Sequence, residues 1–308
     1  MKKGLYILLV LLLVVAFGAS ALYVGSYFLE GKKEADRYDE LSAMIENTRQ
    51  EEQNTVSETA PETTEATEAS TAEVHSDAFG FPGDSGDPNA YYTPDVIDEP
   101  ELIVERPETE ELVSGNDFLP WYLDLHAQNP DMVGWLQIEG TKLNYPVLQT
   151  TEDNANYYLY RNFDRQESVR GSIYAWEKSD VFKPSDNITL FGHNMKDGSM
   201  FACLGAYYDK AAWENNPLIF FDTLTESHVY KIFAVFKTSG NDGEGFAYHM
   251  MADAADEAEF NEFVATCKNL SFYETGFTPK YGDKLICLST CEYTLNNGRF
   301  VVAAVRIT

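Results

Sequence analysis

Two runs of β-forming residues near the carboxyl end, separated by a short polar turn, constrain the fold more than any other feature. The runs span residues 283–293 and 299–307, and the turn at 294–298 contains Asn and Gly. This pattern predicts two consecutive strands that pair as neighbours. Cys291, at the end of the first strand, would then face Arg299, at the start of the second. Because a nearby guanidinium favours thiolate and can stabilise an oxyanion, the pair is a candidate reactive site.

The amino-terminal region has the composition of a membrane anchor. Lys2 and Lys3 precede an uncharged, mostly apolar run over residues 5–29, which is long enough to span a bilayer. The tripeptide at 19–21, Ala-Ser-Ala, is similar to a signal-peptidase site, but apolar residues continue well beyond it, which favours an uncleaved anchor. The leading lysines favour an inside amino terminus, so residues 1–29 are predicted to be a cytoplasmic tip and signal-anchor.

Residues 30–115 differ sharply from the flanking sequence. From Glu30 to Glu111 there are 24 acidic and 5 basic residues, with little apolar material to bury. The composition predicts an acidic, disordered spacer, with a short helix over 36–53 next to the membrane. Two roles are open for it: a tether that gives reach through a cell wall, and a plain linker. The net charge of the whole chain, −28, argues against nucleic acid as a partner, since phosphate binding needs a basic face.

Residues 116–308 have the pattern of a folded, mostly β domain. Runs of β-forming residues recur at 134–138, 143–149, 171–176, 187–191, 218–221 and 229–237, before the two described above. Helices are predicted near 118–127 and over 253–268, where apolar residues recur at helical spacing. Many short strands with a few helices predict a mostly antiparallel β-barrel with helical additions.

The cysteine spacing argues against a disulfide framework and against a zinc site. The four cysteines are Cys203, Cys267, Cys287 and Cys291, and no two of them form a CxxC pair. On one extended strand, Cys287 and Cys291 would lie roughly 13 Å apart, at ~3.3 Å per residue, which is too far for a bond. Cys203, Cys267 and Cys287 are best interpreted as small buried apolar residues.

A histidine lies at the exit of another predicted strand. His193 follows Gly192 directly after the run at 187–191. A nucleophilic cysteine needs a base or a cation as partner, because a free thiol with a pKa of ~8.5 is mostly protonated at neutral pH. His193, Cys291 and Arg299, each near a strand end, therefore form a candidate catalytic group.

These motifs together resemble the sortases, the cysteine transpeptidases that attach proteins to the Gram-positive cell wall. The resemblance rests on Leu288-Ser289-Thr290-Cys291 followed by Arg299, on Phe191-Gly192-His193-Asn194-Met195, and on segments 134–147 and 153–159. The chain order His, Cys, Arg matches the family. A helix between the sixth and seventh strands and a helical start near Phe118 point to class B. The resemblance covers residues 116–308 and implies a closed barrel of about eight strands, with an amino-terminal helix.

The resemblance also implies a mechanism and its partners. Cys291 attacks the Thr–Gly carbonyl of a sorting signal in a secreted surface protein, Arg299 steadies the oxyanion, and His193 protonates the leaving amine. An amine of peptidoglycan or of its lipid-linked precursor then resolves the thioacyl-enzyme. Ser289 and Asn154 are candidate substrate-binding residues. No cofactor or metal is expected, and the enzyme would be a single-pass membrane protein with an extracellular catalytic domain.

Three alternatives stay open from sequence. A membrane-anchored cysteine peptidase would use water in place of the acceptor amine, and a pilin-polymerising sortase would use a lysine side chain. A tethered wall protein without enzymatic activity would not depend on Cys291 at all.

Overall fold

The structure, a computed structural model, describes residues 2–59, 118–241 and 243–308. The helices are α1 (Lys2–Thr59), α2 (Pro120–Gln128), α3 (Lys210–Asn215) and α4 (Glu257–Leu270). The strands are β1 (Met132–Gln137), β2 (Asn144–Leu148), β3 (Ile173–Ala175), β4 (Asn187–Phe191), β5 (Leu218–Thr223), β6 (Ser227–Ser239), β7 (Leu285–Glu292) and β8 (Gly298–Arg306). Four 3₁₀ segments lie at Glu152–Asn154, Tyr157–Leu159, Phe201–Tyr208 and Tyr248–Met250.

The eight strands close into a barrel in the order β1-β2-β3-β4-β7-β8-β6-β5. Most neighbours are antiparallel, but β2 pairs with β3 and β4 pairs with β7 in parallel. The predicted fold class is therefore confirmed, with α4 inserted between the sixth and seventh strands and α2 before the barrel. The β4–β7 pairing matters for function, because parallel neighbours end at the same rim of the barrel.

Two apolar clusters hold the barrel together. All eight strands contribute to the larger one, which fills the interior with side chains such as Leu136, Ile188 and Leu288. The smaller cluster lies on the outer face, where the buried stripe of α4 covers alternate residues of β6, β7 and β8. The apolar period predicted over 253–268 is therefore the buried face of this helix. Its first turn is capped by the Asp256 carboxylate, which accepts from the Glu259 amide at 3.0 Å.

Helix α1 extends far beyond the predicted anchor. Among the described residues it is the one helix long and apolar enough to cross a bilayer, and its apolar first half is exposed. The predicted start of a disordered spacer at residue 30 differs from the structure, because α1 continues to Thr59 and buries Tyr38, Leu41 and Ile45 against the barrel. These three residues form an apolar stripe at helical spacing. The stripe is not evident from composition, because most residues around it are charged or polar. The rest of the predicted spacer, residues 60–115, lies outside the described residues.

Ion pairs fix α1 on the barrel at both ends of the buried stripe. Arg37 pairs with Asp164 at 2.9 Å, and Arg49 pairs with the largely buried Asp222 at 2.6 Å. Asp222 also accepts from the Tyr122 hydroxyl of α2 at 2.7 Å. The docked part of α1 is therefore an element of the folded domain.

Candidate active site

The ends of β4 and β7 bring the predicted site residues to one rim. The parallel register aligns Phe191 with Ser289. Beyond β4, the Thr290 hydroxyl donates to the Gly192 carbonyl at 2.7 Å, and the Asn194 side chain donates to the Cys291 carbonyl at 3.2 Å. Because Gly192 and Asn194 are both bonded to the end of β7, the turn that carries His193 lies alongside Cys291.

Strand β8 brings in the third residue. The antiparallel register of β7 and β8 pairs Cys291 with Arg299, as the closing hairpin predicted. Side chains alternate along β7, so Cys287, Ser289 and Cys291 share the outer face of the barrel. Cys287 and Ser289 are fully covered, whereas Cys291 is half-buried. The cover on this face thus ends at the rim, where the Cys291 thiol lies.

The Arg299 guanidinium is held by the hairpin turn. Its Nη1 donates to the Asn297 side-chain oxygen at 2.8 Å and to the Gly298 carbonyl at 3.0 Å. Gly240, at the end of β6, lies against the other side, and a Cβ there would be 3.1 Å from the Arg299 Cζ. A small residue at position 240 therefore leaves room for the Arg299 guanidinium.

Glu292, directly after Cys291, is a buried residue that caps the hairpin turn. It is 7% exposed, and its carboxylate accepts from the amides of Thr294 and Leu295 and from the Tyr208 hydroxyl. Burial alone would raise the pKa of Glu292, but the hydrogen bonds from Thr294 and Leu295 outweigh it and lower the pKa. Glu292 therefore stays ionised and stabilises the turn between Cys291 and Arg299.

His193 is half-buried beneath the connection between β2 and β3. Its Nε2 donates to the Leu159 carbonyl at 2.7 Å, and the Tyr160 ring lies 5.6 Å from the imidazole. Because a carbonyl only accepts, Nε2 carries a proton, and Nδ1 is the acceptor of the neutral ring. Burial lowers the pKa of His193, opposed by the Leu159 hydrogen bond. The imidazole is thus mostly neutral at pH 7.

The other cysteines stay protonated thiols at neutral pH. All four cysteines are free. Burial raises the pKa of Cys287 to about 12 and that of Cys203 to about 11, and it raises the pKa of Cys267 well above its usual value.

The two candidate substrate-binding residues lie in different surroundings. Ser289 is 1% exposed, and its hydroxyl is hydrogen-bonded to the hydroxyl of Tyr248, from the connection between β6 and β7. Direct contact with a peptide would require this pair to open. Asn154 lies on the exposed 3₁₀ segment Glu152–Asn154, where its carbonyl accepts from the Thr150 hydroxyl at 2.7 Å. A role for Asn154 in substrate binding stays a prediction.

We predict that Ser289→Ala acts mainly on stability. It leaves the buried Tyr248 hydroxyl without its partner, which should lower the free energy of unfolding by about 1–3 kcal/mol. The Ser289→Ala, Tyr248→Phe double variant should recover part of that loss, because neither buried partner is then left unpaired. Denaturant unfolding of the four proteins of this cycle measures the effect. A large rise in KM for a peptide substrate, with unchanged stability, would instead identify Ser289 as a substrate contact.

Comparison with known proteins places this arrangement in a family. A family model described as the sortase domain matches residues 136–307. Sortase B of Listeria monocytogenes is 32% identical over 187 residues, covering 60% of this chain and 73% of that protein. Sortase B of Staphylococcus aureus is 29% identical over the same length, covering 60% and 74%.

Solved structures show the same likeness. A Staphylococcus aureus sortase B–substrate complex matches with a TM-score of 0.56 at 30% identity, covering 62% of this chain and 86% of that one. A Bacillus anthracis sortase B structure matches with a TM-score of 0.56 at 31% identity, covering 64% and 87%. The chain belongs to the sortase family and is a cysteine transpeptidase of the sortase B class.

Proposed function

We propose that Cys291, His193 and Arg299 are the catalytic residues of this transpeptidase. The observation that carries the proposal is the convergence of three strand ends at one rim: β7 pairs Cys291 with Arg299, and the Asn194 hydrogen bond to the Cys291 carbonyl holds the His193 turn beside them. A thiol, an imidazole and a guanidinium at one rim suit acyl transfer through a thioester.

In the acylation half, the Cys291 thiolate attacks the carbonyl of a Thr–Gly bond in the sorting signal of a surface protein. The Arg299 guanidinium stabilises the tetrahedral oxyanion. His193 as imidazolium donates its proton to the departing glycine amine, the C–N bond breaks, and the threonyl group stays on sulfur as a thioester.

In the transfer half, neutral His193 accepts a proton from an incoming amine, which attacks the thioester and releases the Cys291 thiolate. The acceptor is an amine of peptidoglycan or of its lipid-linked precursor, and the product is a surface protein joined to the wall. Helix α1 holds the enzyme at the cell membrane through residues 5–29, with the domain at 118–308 outside. In the sequence, an acidic stretch up to residue 115 separates the apolar run from this domain.

The full-length chain in detergent, incubated with peptides that vary around a Thr–Gly bond, tests the reaction. Mass spectrometry of the quenched enzyme should detect a thioacyl adduct on the peptide that carries Cys291, and its mass identifies the accepted motif. Adding an amine acceptor should divert the product from acid to amide. If the amine leaves the acid as the sole product, the enzyme is a hydrolase and transpeptidation is refuted.

We predict that Arg299→Lys is poorly tolerated. Lysine keeps the positive charge but lacks the planar guanidinium. In Arg299, one edge of that group bonds the hairpin turn while the other edge faces the rim. Loss of one oxyanion donor lowers kcat by roughly 10²–10³-fold. Acylation rates of folded Arg299→Lys enzyme measure this. As a matched control, Arg306→Lys, at the far end of the same strand, should keep full activity.

A further inference from the structure

A buried arginine joins the membrane-anchored helix to the turn that carries His193. The side chain of Arg170, in the connection between β2 and β3, is only 5% exposed. Its Nε and Nη2 donate to one Asp197 carboxylate oxygen at 3.0 and 2.8 Å. Its Nη1 lies 3.6 Å from Glu34 of α1. The guanidinium thus lies between two acids, one on α1 and one in the turn after β4.

Helix α1 leaves space for the Arg170 guanidinium on its surface. Gly31 lies directly beneath it, and a Cβ at that position would collide with the Arg170 Nη2. The Tyr27 ring covers it from one turn earlier, 5.0 Å from the Arg170 Cζ. A glycine in a helix interior destabilises the helix by about 1 kcal/mol relative to alanine. At Gly31 the missing side chain has a structural use, because it admits the arginine.

On the other side, Asp197 anchors the His193 turn. Its second carboxylate oxygen accepts from the Ser199 amide at 3.0 Å and from the Ser199 hydroxyl at 2.6 Å. The base of the turn is closed by the Phe201 amide, which donates to the His193 carbonyl at 2.9 Å, and by a bridge between residues 194 and 200. Asp197 is at the tip of this closed turn, so its position bears directly on that of His193.

The backbone next to Arg170 reaches the same histidine from a second direction. Gly171 has a positive φ of 56° and packs on the Leu159 carbonyl, the acceptor of the His193 Nε2 proton. The Ser172 amide donates to the Tyr158 carbonyl at 2.9 Å, which fixes this contact. Arg170 and its neighbours therefore support both the turn that carries the imidazole and the carbonyl to which it is bonded.

We propose that Arg170 and Asp197 are positioning residues through which the membrane-anchored helix α1 sets the placement of His193. This inference rests on the catalytic role proposed for His193. It gives α1 a part in catalysis beyond anchoring: displacing α1 from the guanidinium loosens the turn, and the imidazole loses its alignment with Cys291.

The test uses the full-length chain in lipid nanodiscs, with the Gly31→Leu and Arg170→Met variants. Gly31→Leu changes only α1 and favours the helix itself, so any effect on His193 must pass through Arg170. Each variant should lower kcat for acylation by about 10- to 100-fold, the effect of a small misplacement of a catalytic group, while KM stays within about twofold. Arg170→Lys should fall between wild type and Arg170→Met.

An NMR titration of the His193 ring supplies a readout independent of turnover. The titratable and charged groups near the imidazole, Tyr160, Cys291 and Arg299, are unchanged in these variants. A loosened turn exposes the imidazole, so its pKa should rise toward the ordinary value in Gly31→Leu and Arg170→Met.

Arg49→Met is the matched control. It removes another α1 ion pair, to Asp222, which keeps the Tyr122 hydroxyl as a partner. It should lower thermal stability and leave kcat and the His193 titration unchanged. If folded Gly31→Leu and Arg170→Met behave as wild type in both readouts, the inference is overturned, whereas the proposed function stands as long as Cys291→Ala is inactive. If His193 is replaced without loss of turnover, the proposed function fails instead.

Discussion

The Cys291→Ala variant is expected to form no thioacyl-enzyme and to lose turnover by roughly 10⁴-fold or more, as removal of a covalent nucleophile does. Cys291 is the half-buried thiol at the rim, beside Arg299 and the His193 turn. Without its sulfur no thioester can form, while the barrel and its interior packing are untouched. Mass spectrometry after incubation with a Thr–Gly peptide measures the adduct directly.

Cys287→Ala is the matched control on the same strand and the same face. Cys287 is fully buried beneath α4, and burial raises its pKa to about 12, so it stays protonated and out of reach of a peptide. Its replacement should lower stability by about 1 kcal/mol and leave acylation intact. Equal loss of the adduct in both variants, with the Cys287 variant still folded, would contradict the assignment of Cys291.

Local patterns in the sequence were sufficient to predict the half of the proposed site that lies on the closing hairpin. Cys291 and Arg299 are eight residues apart on strands joined by a short turn, so hairpin geometry alone brings them together. Helix α4 was predictable in the same way, because its apolar residues recur at helical spacing. These contacts are local, and local preferences agree with the final structure.

The other half depends on a long-range pairing that no local pattern encodes. The turn that carries His193 lies beside Cys291 because β4 pairs with β7, which begins more than ninety residues later in the chain. A parallel pair of this kind leaves no turn signal between its strands. From the residues alone, His193 could be grouped with Cys291 and Arg299 because each lies near a strand end, but the strand pairing that brings their ends together could not be predicted.

Composition was a poor guide where a few residues outweigh their surroundings. Glu292 is an acidic residue next to a polar turn, yet two backbone amides and a tyrosine hydroxyl enclose it. Likewise, the stripe of Tyr38, Leu41 and Ile45 is sparse within an acidic segment, but it docks α1 on the barrel. When hydrophobicity is averaged over a window, many polar residues hide the signal of the few residues that are buried.

The docked helix bears on the two roles left open for the acidic segment. Because α1 packs on the barrel from Glu34 to Arg49, the folded domain is held within a few helical turns of residue 29. Residues 60–117 join two segments that both contact this domain, α1 and α2. Extending them would not increase the distance between the membrane and the catalytic rim. The plain-linker role is therefore favoured over the tether that gives reach.

Replacing His193 with glutamine should lower kcat/KM for acylation by about 10²–10⁴-fold, the usual contribution of general acid–base catalysis. Glutamine can still donate to the Leu159 carbonyl, so the turn keeps its main support, but it cannot titrate. The pH profile provides a second readout. Acylation needs His193 as imidazolium, so the wild-type kcat/KM should fall as pH rises through the His193 pKa, which burial lowers, and this alkaline limb should vanish in His193→Gln.

His228→Gln is the control that separates a catalytic histidine from a merely buried one. Burial also lowers the pKa of His228, but this residue lies at the other end of β6, about 30 Å along the strand from the rim. For either histidine, the unfolded chain takes up the proton more readily, so stability decreases as pH falls below 6.5 toward the folded-state pKa. Both replacements should weaken that pH dependence of stability, whereas only His193→Gln should remove the alkaline limb of activity. An alkaline limb that persists unchanged in His193→Gln would assign the proton transfer to another group, and the rim would then act through Cys291 and Arg299 alone.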